Sequence, residues 1–354
     1  MTDDPSVDQL ADYLRGTGWT DTGLAWRGAG IWALDGLEVL LPGSSGVGDF
    51  PQRVSELLRT VARAEGRLVD DVRRALRHPT VDEITVRRKS TLTISEGASA
   101  LQGLRSFVRE SARAVSEGPH LRFPKGEPRP VRDLLDAVDL GPGPRDLPGF
   151  SLFFDTRERP DRSSHRAVSL QVRNAARALA ETVGNRGASF EDVALQGVSL
   201  ECCSALARLA GEDDDAFEFS FRWAIRTPEQ DRPVASARVE KVGFAAGAGE
   251  GLRKGMRRLS RSGVSGPATA AGMVDGLHDE PGSDDRWRAR LSGEVAPAHG
   301  ARRGRTIWVR FPDQSTYERV VRRYDRSRPV QVRGELTTRD GRIELMVDNS
   351  GGAS

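Results

Sequence analysis

The chain has 354 residues, of which 37% are hydrophobic and 29% charged, with a mean hydropathy of −0.48. These values describe a folded polar protein of two or three domains and exclude collagen, coiled coil and wholesale disorder. The formal charge of +2 is unevenly spread: residues 1–70 hold six arginines against eleven acids, whereas 286–348 hold fifteen against eight, so the C-terminal end is the basic one.

No apolar run approaches the roughly 18 residues that cross a bilayer, and Met1-Thr2-Asp3-Asp4-Pro5 offers neither a basic nor an apolar leader. A cytoplasmic chain without a membrane partner is expected. The only cysteines, Cys202 and Cys203, are adjacent, a spacing that suits neither a disulfide framework nor a zinc site. Only four of the 53 basic residues are lysines, a bias that fits a GC-rich coding genome and weakens arginine abundance alone as a sign of nucleic acid.

In chain order, a short helix is expected at Val7 to Leu14. A hairpin follows from Ala25 to Leu41, where the Asp35-Gly36 turn should pair Leu34 with Leu37 and Trp32 with Val39. Asp49 and Pro51 open a helix with Val54, Leu57, Leu58 and Val61 on one face, ended by Gly66, and a second helix covers Val69 to Arg77. Strands near Ile84–Val86 and Thr91–Ile94 lead to a helix carrying Leu101, Leu104, Val108 and Ala112. Residues 1–118 read as a small α+β domain, and 119–148, rich in Pro, Gly and Arg, as a connector with one or two helical turns at Val131 to Val138.

A second α+β domain is expected over 149–262. It opens with the strand Phe150–Phe154 and continues with a helix bearing Val168, Val172, Ala175, Leu179 and Val183, then another starting near Ser199. Phe217, Phe219, Phe221, Trp223 and Ile225 alternate with Glu218, Ser220, Arg222 and Ala224, the pattern of a strand with one core face. A strand at Ala237–Phe244 and a basic helix at Leu252–Leu259 close it. Residues 263–285 have the composition of a flexible linker.

The last module, 286–348, gives two alternating strands (Ala289, Leu291, Val295; Ile307, Val309, Phe311), a helix with Tyr317, Val320, Val321 and Tyr324 on one face, and a hairpin around Asp340-Gly341. That turn sets Leu336 opposite Leu345 and Gly334 opposite Val347. The order resembles an oligonucleotide-binding (OB) barrel, which places a helix before its fourth strand, although a clear third strand is missing. The fold class expected is therefore α+β and multi-domain: two small mixed domains followed by an OB-like antiparallel β module with one helix.

If Ile307, Val309 and Phe311 face inward, Trp308 and Arg310 face outward, near Arg288, Arg290 and Arg333. An indole among guanidinium groups is a surface for base stacking and phosphate binding. The blander alternative packs Trp308 against the preceding domain. Arg253, Lys254, Arg257 and Arg258 share one side of the basic helix and form a second phosphate-tracking candidate.

Enzyme signatures are weak, and no catalytic residue, metal or cofactor is expected. The loop Gly43–Gly48 lacks a following Gly-Lys-Ser/Thr and meets Asp49, and Gly247–Gly251 misses the GxGxxG spacing because Leu252 replaces the third glycine. Gly263–Pro267 is no nucleophile elbow, and the five histidines are dispersed. The acids Asp275, Asp279 and Glu280 with His278 read as a solvated linker. Asp155, Glu158 and Asp161 are the best carboxylates for a metal-dependent nuclease, but Glu240-Lys241 lacks the intervening residue of an ExK pair.

The phrases Tyr13-Leu14-Arg15-Gly16-Thr17-Gly18-Trp19, Glu38-Val39-Leu40-Leu41-Pro42 and Glu218-Phe219-Ser220-Phe221-Arg222-Trp223-Ala224 resemble phrases recurring in uncharacterised multi-domain bacterial proteins. The resemblance implies a coherent domain layout and carries no mechanism. The function expected is a non-catalytic, nucleic-acid-binding accessory or targeting protein. A scaffold subunit holding a protein partner is the first alternative and a diverged nuclease the second.

Overall fold

The computed structural model describes residues 4–143, 147–157, 165–184, 189–225, 239–282, 286–297 and 303–348. Three units follow one another along the chain, each with its own buried cluster.

In the first unit, α1 (Val7–Gly16) starts from a capping box in which Ser6 and Gln9 satisfy each other's backbone amides. The strands β1 (Thr20–Trp26), β2 (Ala29–Leu34) and β3 (Leu37–Pro42) form an antiparallel sheet, with Leu34 opposite Leu37 and Trp32 opposite Val39. α2 (Phe50–Glu65) ends at Gly66 in the left-handed conformation, and α3 (Val69–Arg77) follows. Their apolar stripes meet the inner sheet face: Leu14, Val54, Leu58, Val61 and Val72 are fully buried. Each such side chain contributes about 1.5–3 kcal/mol.

The central unit is built on a five-stranded antiparallel sheet of order β5 (Asp139–Pro142), β6 (Gly149–Asp155), β4 (Val81–Arg88), β7 (Phe217–Arg222) and β8 (Glu240–Phe244). Against one face pack α4 (Ile94–Glu117), α6 (His165–Val183) and α8 (Leu200–Ala210), with the shorter α5 (Arg129–Ala137) and α7 (Phe190–Leu195) at the margins. The aromatic residues of β7 fill the middle: Phe219 stacks on Phe221 at 5.9 Å, and Phe217 on Phe244 at 4.5 Å. At the end of the sheet Asp82, fully buried, accepts hydrogen bonds from Arg166, from the Ser169 hydroxyl at 2.5 Å and from the Ala224 amide at 2.8 Å.

This arrangement moves the expected first boundary. β4 and α4 lie in the central core, so that unit begins at the turn after α3 rather than at 118. Thr91–Ile94 is not a strand; Thr93 caps α4 in a second capping box. The expected connector supplies α5, whose Val131 and Leu134 are buried in the central core, and the edge strand β5.

After α9 (Ala248–Ser262) the chain forms a closed barrel of β9 (Gly266–Asp279), β10 (Trp287–Pro297), β11 (Arg303–Arg310), β12 (Val330–Arg339) and β13 (Arg342–Val347), with α10 (Gln314–Tyr324) between β11 and β12. Around the barrel the order is β9-β10-β11-β13-β12, with β11 and β13 parallel and the other pairs antiparallel. Leu336 faces Leu345 and Gly334 faces Val347. The strand missing from the sequence reading is the first one, because the expected linker folds as β9. Its small residues are a condition of closure: Gly272 lies opposite Gly293, and a Cβ on Gly293 would come within 2.1 Å of the Ala271 carbonyl oxygen.

Barrel and central unit share a buried seam. Leu121, Ala194, Leu195 and Leu200 join the barrel's apolar cluster. Residues 118–123 lie along the start of β13: the Leu121 amide donates to the Gly341 carbonyl at 2.7 Å, and the Ile343 amide to that of Pro119 at 3.2 Å. His120, 2% exposed, stacks on Phe123 at 4.6 Å. Among the described residues no helix is long and apolar enough to cross a membrane.

Candidate nucleic-acid interface

Alternation along β11 buries Ile307 and Val309 inside the barrel and turns Trp308 outward. The guanidinium groups of Arg288 on β10 and Arg342 on β13 each lie 5.9 Å from the centre of its ring. That distance suits cation–π attraction. Beneath them Glu344, only 4% exposed, pairs with Arg342 at 3.3 Å and Arg288 at 3.9 Å. The indole is nevertheless half-buried, because the seam runs beside it: a Cβ on Gly118 would lie 3.8 Å from its Cδ1. Packing against the central unit and a guanidinium frame thus coexist at one ring.

The other expected residues are dispersed around this point. Arg290 donates to Asp275 at 2.7 Å and to the Ser116 carbonyl at 3.3 Å, which ties β10 to the end of α4. Arg310 is half-buried at the end of β11. Arg333, on β12, points outward and is exposed. The candidate pair Arg288 and Arg290 is thereby committed to internal carboxylates and carbonyls, leaving less of its charge for a ligand.

The basic helix, α9, is largely neutralised by its own neighbours. Glu250 lies 3.1 Å from both Arg253 and Arg257 and 3.9 Å from Lys254, while Glu191 lies 3.6 Å from Arg258. At its N-terminus the Asp214 carboxylate accepts from the amides of Gly249 at 2.6 Å and Glu250 at 2.7 Å. A protein carboxylate therefore occupies the position at which a phosphate would be bound after the Gly247 loop. At α2, Asp49 instead pairs with Arg53 at 2.8 Å.

The remaining chemistry-bearing residues have structural partners. Asp155 pairs with Arg157 at 2.5 Å and accepts from the Thr80 hydroxyl at 3.3 Å; the arginine hydrogen bonds hold its carboxyl below the usual range. Glu158 and Asp161 lie outside the described residues. In the segment read as a solvated linker, Asp275, Asp279 and His278 instead engage Arg290, Arg286 and Glu280. Among the described residues no group of three or more His, Cys, Asp or Glu is placed to hold a metal ion. Cys202 and Cys203 are buried, and burial raises both thiols, that of Cys203 to about 12, which keeps them unreactive.

Sequence reasoning passed over one basic cluster. Arg319, Arg322, Arg323, Arg326 and Arg328 fall within ten residues, and all but the half-buried Arg323 are exposed. The density of arginine around the end of the α10 pattern was the available signal. Comparison with protein-family models, with curated proteins and with solved structures finds no match. The fold and its surfaces define the class: a three-unit α+β protein whose C-terminal unit is a small OB-like barrel.

Proposed function

We propose that this chain is a non-catalytic accessory protein that holds single-stranded nucleic acid on its C-terminal barrel. The observation carrying this reading is the closed barrel itself, whose strand order and helix position are those of oligonucleotide-binding folds. Two features support it: the barrel's arginines concentrate after β9, in residues 286–348, where fifteen face eight acids, and an outward indole sits between two guanidinium groups on β10, β11 and β13.

The test is retention of a labelled 20-nucleotide oligothymidine or oligouridine by the full chain across a salt series. Affinity should fall steeply with salt as counterions return to the phosphates. Trp308→Ala should weaken binding by about 1–3 kcal/mol where a base stacks on the indole. Absence of retention at low salt removes the proposal.

A second reading, a scaffold for a protein partner, rests on the first unit. All seven residues of β1, an edge strand, are exposed; Leu24 is 65% and Trp26 51% accessible, and Leu40 on β3 is exposed as well. Copurification of one partner, lost on replacing Leu24 and Trp26 with serine, would favour it. A solitary monomer would count against it.

A further inference from the structure

We infer that the nucleic-acid-binding surface of the barrel is the end of α10 and its turn into β12, where a phosphate backbone tracks Arg319, Arg322, Arg326 and Arg328 and a base stacks on Tyr324. This rests on the nucleic-acid reading of the barrel and gives it a different face from the one around Trp308.

The helix itself makes the surface. Tyr317 and Val320 point into the barrel core, so Arg319, Arg322 and Arg323 emerge on the opposite side, and the turn that follows continues their line to Arg326. Only part of this charge is used internally. Arg319 donates to the Thr316 hydroxyl at 3.1 Å, Arg323 to the Pro329 carbonyl at 3.1 Å, and Arg322 lies 4.0 Å from Glu318 in a pair half open to water. Arg326 and Arg328 have no side-chain partner among the described residues. Nearby, the acids Glu318 and Asp325 face five arginines, and Glu318 also accepts from Gln314 at 2.8 Å.

The helix dipole explains cations in the last turn, where Arg322 and Arg323 stand, but its influence ends there. Arg326 and Arg328 lie beyond it. Arg333 then carries exposed positive charge onto β12, roughly 16 Å along an extended chain from Arg328, a span of two to three nucleotides.

One feature, an exposed aromatic ring beside the arginines, favours nucleic acid over an acidic protein. The barrel's basic side chains are arginines, as almost everywhere in this chain, and the guanidinium fork binds phosphate oxygens in pairs as it does carboxylates. Tyr324 lies on the same side of α10 as Tyr317 and Val320, but at the helix end it is 44% exposed, which offers part of its ring to a base at the margin of the cluster. The Trp308 face, by contrast, is narrowed by the seam and its arginines are engaged with Glu344, Asp275 and Ser116.

The experiment compares four full-length proteins in a salt series with a labelled 20-nucleotide oligothymidine. They are wild type, R319S/R322S/R326S/R328S, Tyr324→Ala, and a charge-matched control, R59S/R105S/R129S/R177S, altered at arginines outside the barrel. All substituted side chains are solvent-accessible, and thermal melting checks that each variant folds. The slope of log affinity against log salt should fall by roughly 2–3 in the α10 variant, since each lost single-strand phosphate contact removes about 0.7. Tyr324→Ala should weaken binding about tenfold, and the control should match wild type.

If wild type binds and the α10 variant keeps its affinity and slope, the surface is wrongly placed while the barrel's function stands. Failure of wild type to bind overturns both. Tighter binding of polyglutamate than of oligothymidine through the same four arginines overturns the choice of ligand.

Discussion

Two hairpins in this chain turn through the same dipeptide, and their comparison measures the seam between barrel and central unit. Asp35-Gly36 and Asp340-Gly341 have nearly identical backbones, with φ of 47° and 49° at the aspartates and 81° at both glycines. Alanine at either glycine pays the same left-handed penalty, about 1–2 kcal/mol. Their surroundings differ. A Cβ on Gly36 meets nothing within 4 Å, whereas one on Gly341 would come within 2.2 Å of the Arg122 carbonyl oxygen. Gly341→Ala must therefore also push residues 119–122 away, straining the hydrogen bonds that Leu121 and Ile343 make across the seam. Overpacking of this kind adds about 1–3 kcal/mol.

Amide hydrogen exchange on the full chain separates the two effects. In Gly341→Ala the amides of Leu121 and Ile343 should lose protection by about 10- to 100-fold, while Gly36→Ala should leave them unchanged. Equal effects of the two substitutions would refute the seam as drawn. The same variant sorts the two binding faces: oligonucleotide affinity should rise if the Trp308 face is used, since that face opens, and stay constant if the α10 surface is used.

The remaining expectations concern acid and a buried charge. His120 donates through Nδ1 to the Gly118 carbonyl at 3.2 Å and accepts through Nε2 from the Arg342 Nε at 3.4 Å; burial foremost, then Arg342 and Arg113 beside it, hold its pKa below the usual value, with the Gly118 hydrogen bond and Glu117 opposing. The unfolded chain takes up this proton more readily than the folded one, so stability should fall as pH drops from about 6.5 through the folded-state value and then level off. The exchange protection of the seam amides should follow that curve, and His120→Gln should flatten it; an unchanged curve in the variant would assign the effect elsewhere. Asp82→Ala strips the half-buried Arg166 and the buried Ser169 and Ala224 donors of their shared acceptor, and denaturant melts should show a loss of about 3–5 kcal/mol in the central unit. A loss under 1 kcal/mol would show that water replaces the carboxylate.

Local signals carried much of this fold. The Asp-Gly turns set both hairpin registers, and the alternation of β7 and β11 oriented Phe219 and Trp308 correctly, because turn chemistry and the two-residue period of a strand act over neighbouring residues. β9 escaped the reading because Gly, Ala and Thr compose both a linker and a strand crossed closely by its neighbours; only the closed barrel distinguishes them. A fragment starting at 284 would accordingly lack the barrel's first strand. The domain boundary failed for a related reason: β4 pairs with β6 and β7, and nothing in Val81–Arg88 names partners so distant. The site shows the same division. Trp308's direction was legible, whereas Gly118 beside it, Ser116 on Arg290 and Asp214 on the start of α9 come from remote parts of the chain.

The order in which a ribosome delivers these segments gives the parallel β11–β13 pair a biosynthetic consequence. Leu121, Leu195 and Leu200 are made well before β13, which completes the buried cluster they share and follows all three of them by well over a hundred residues. Until then the growing polypeptide presents a greasy, half-built flank to its surroundings. Premature termination anywhere before Val347 leaves that flank bare, so shortened products should partition to aggregates or chaperones while the finished chain stays dispersed.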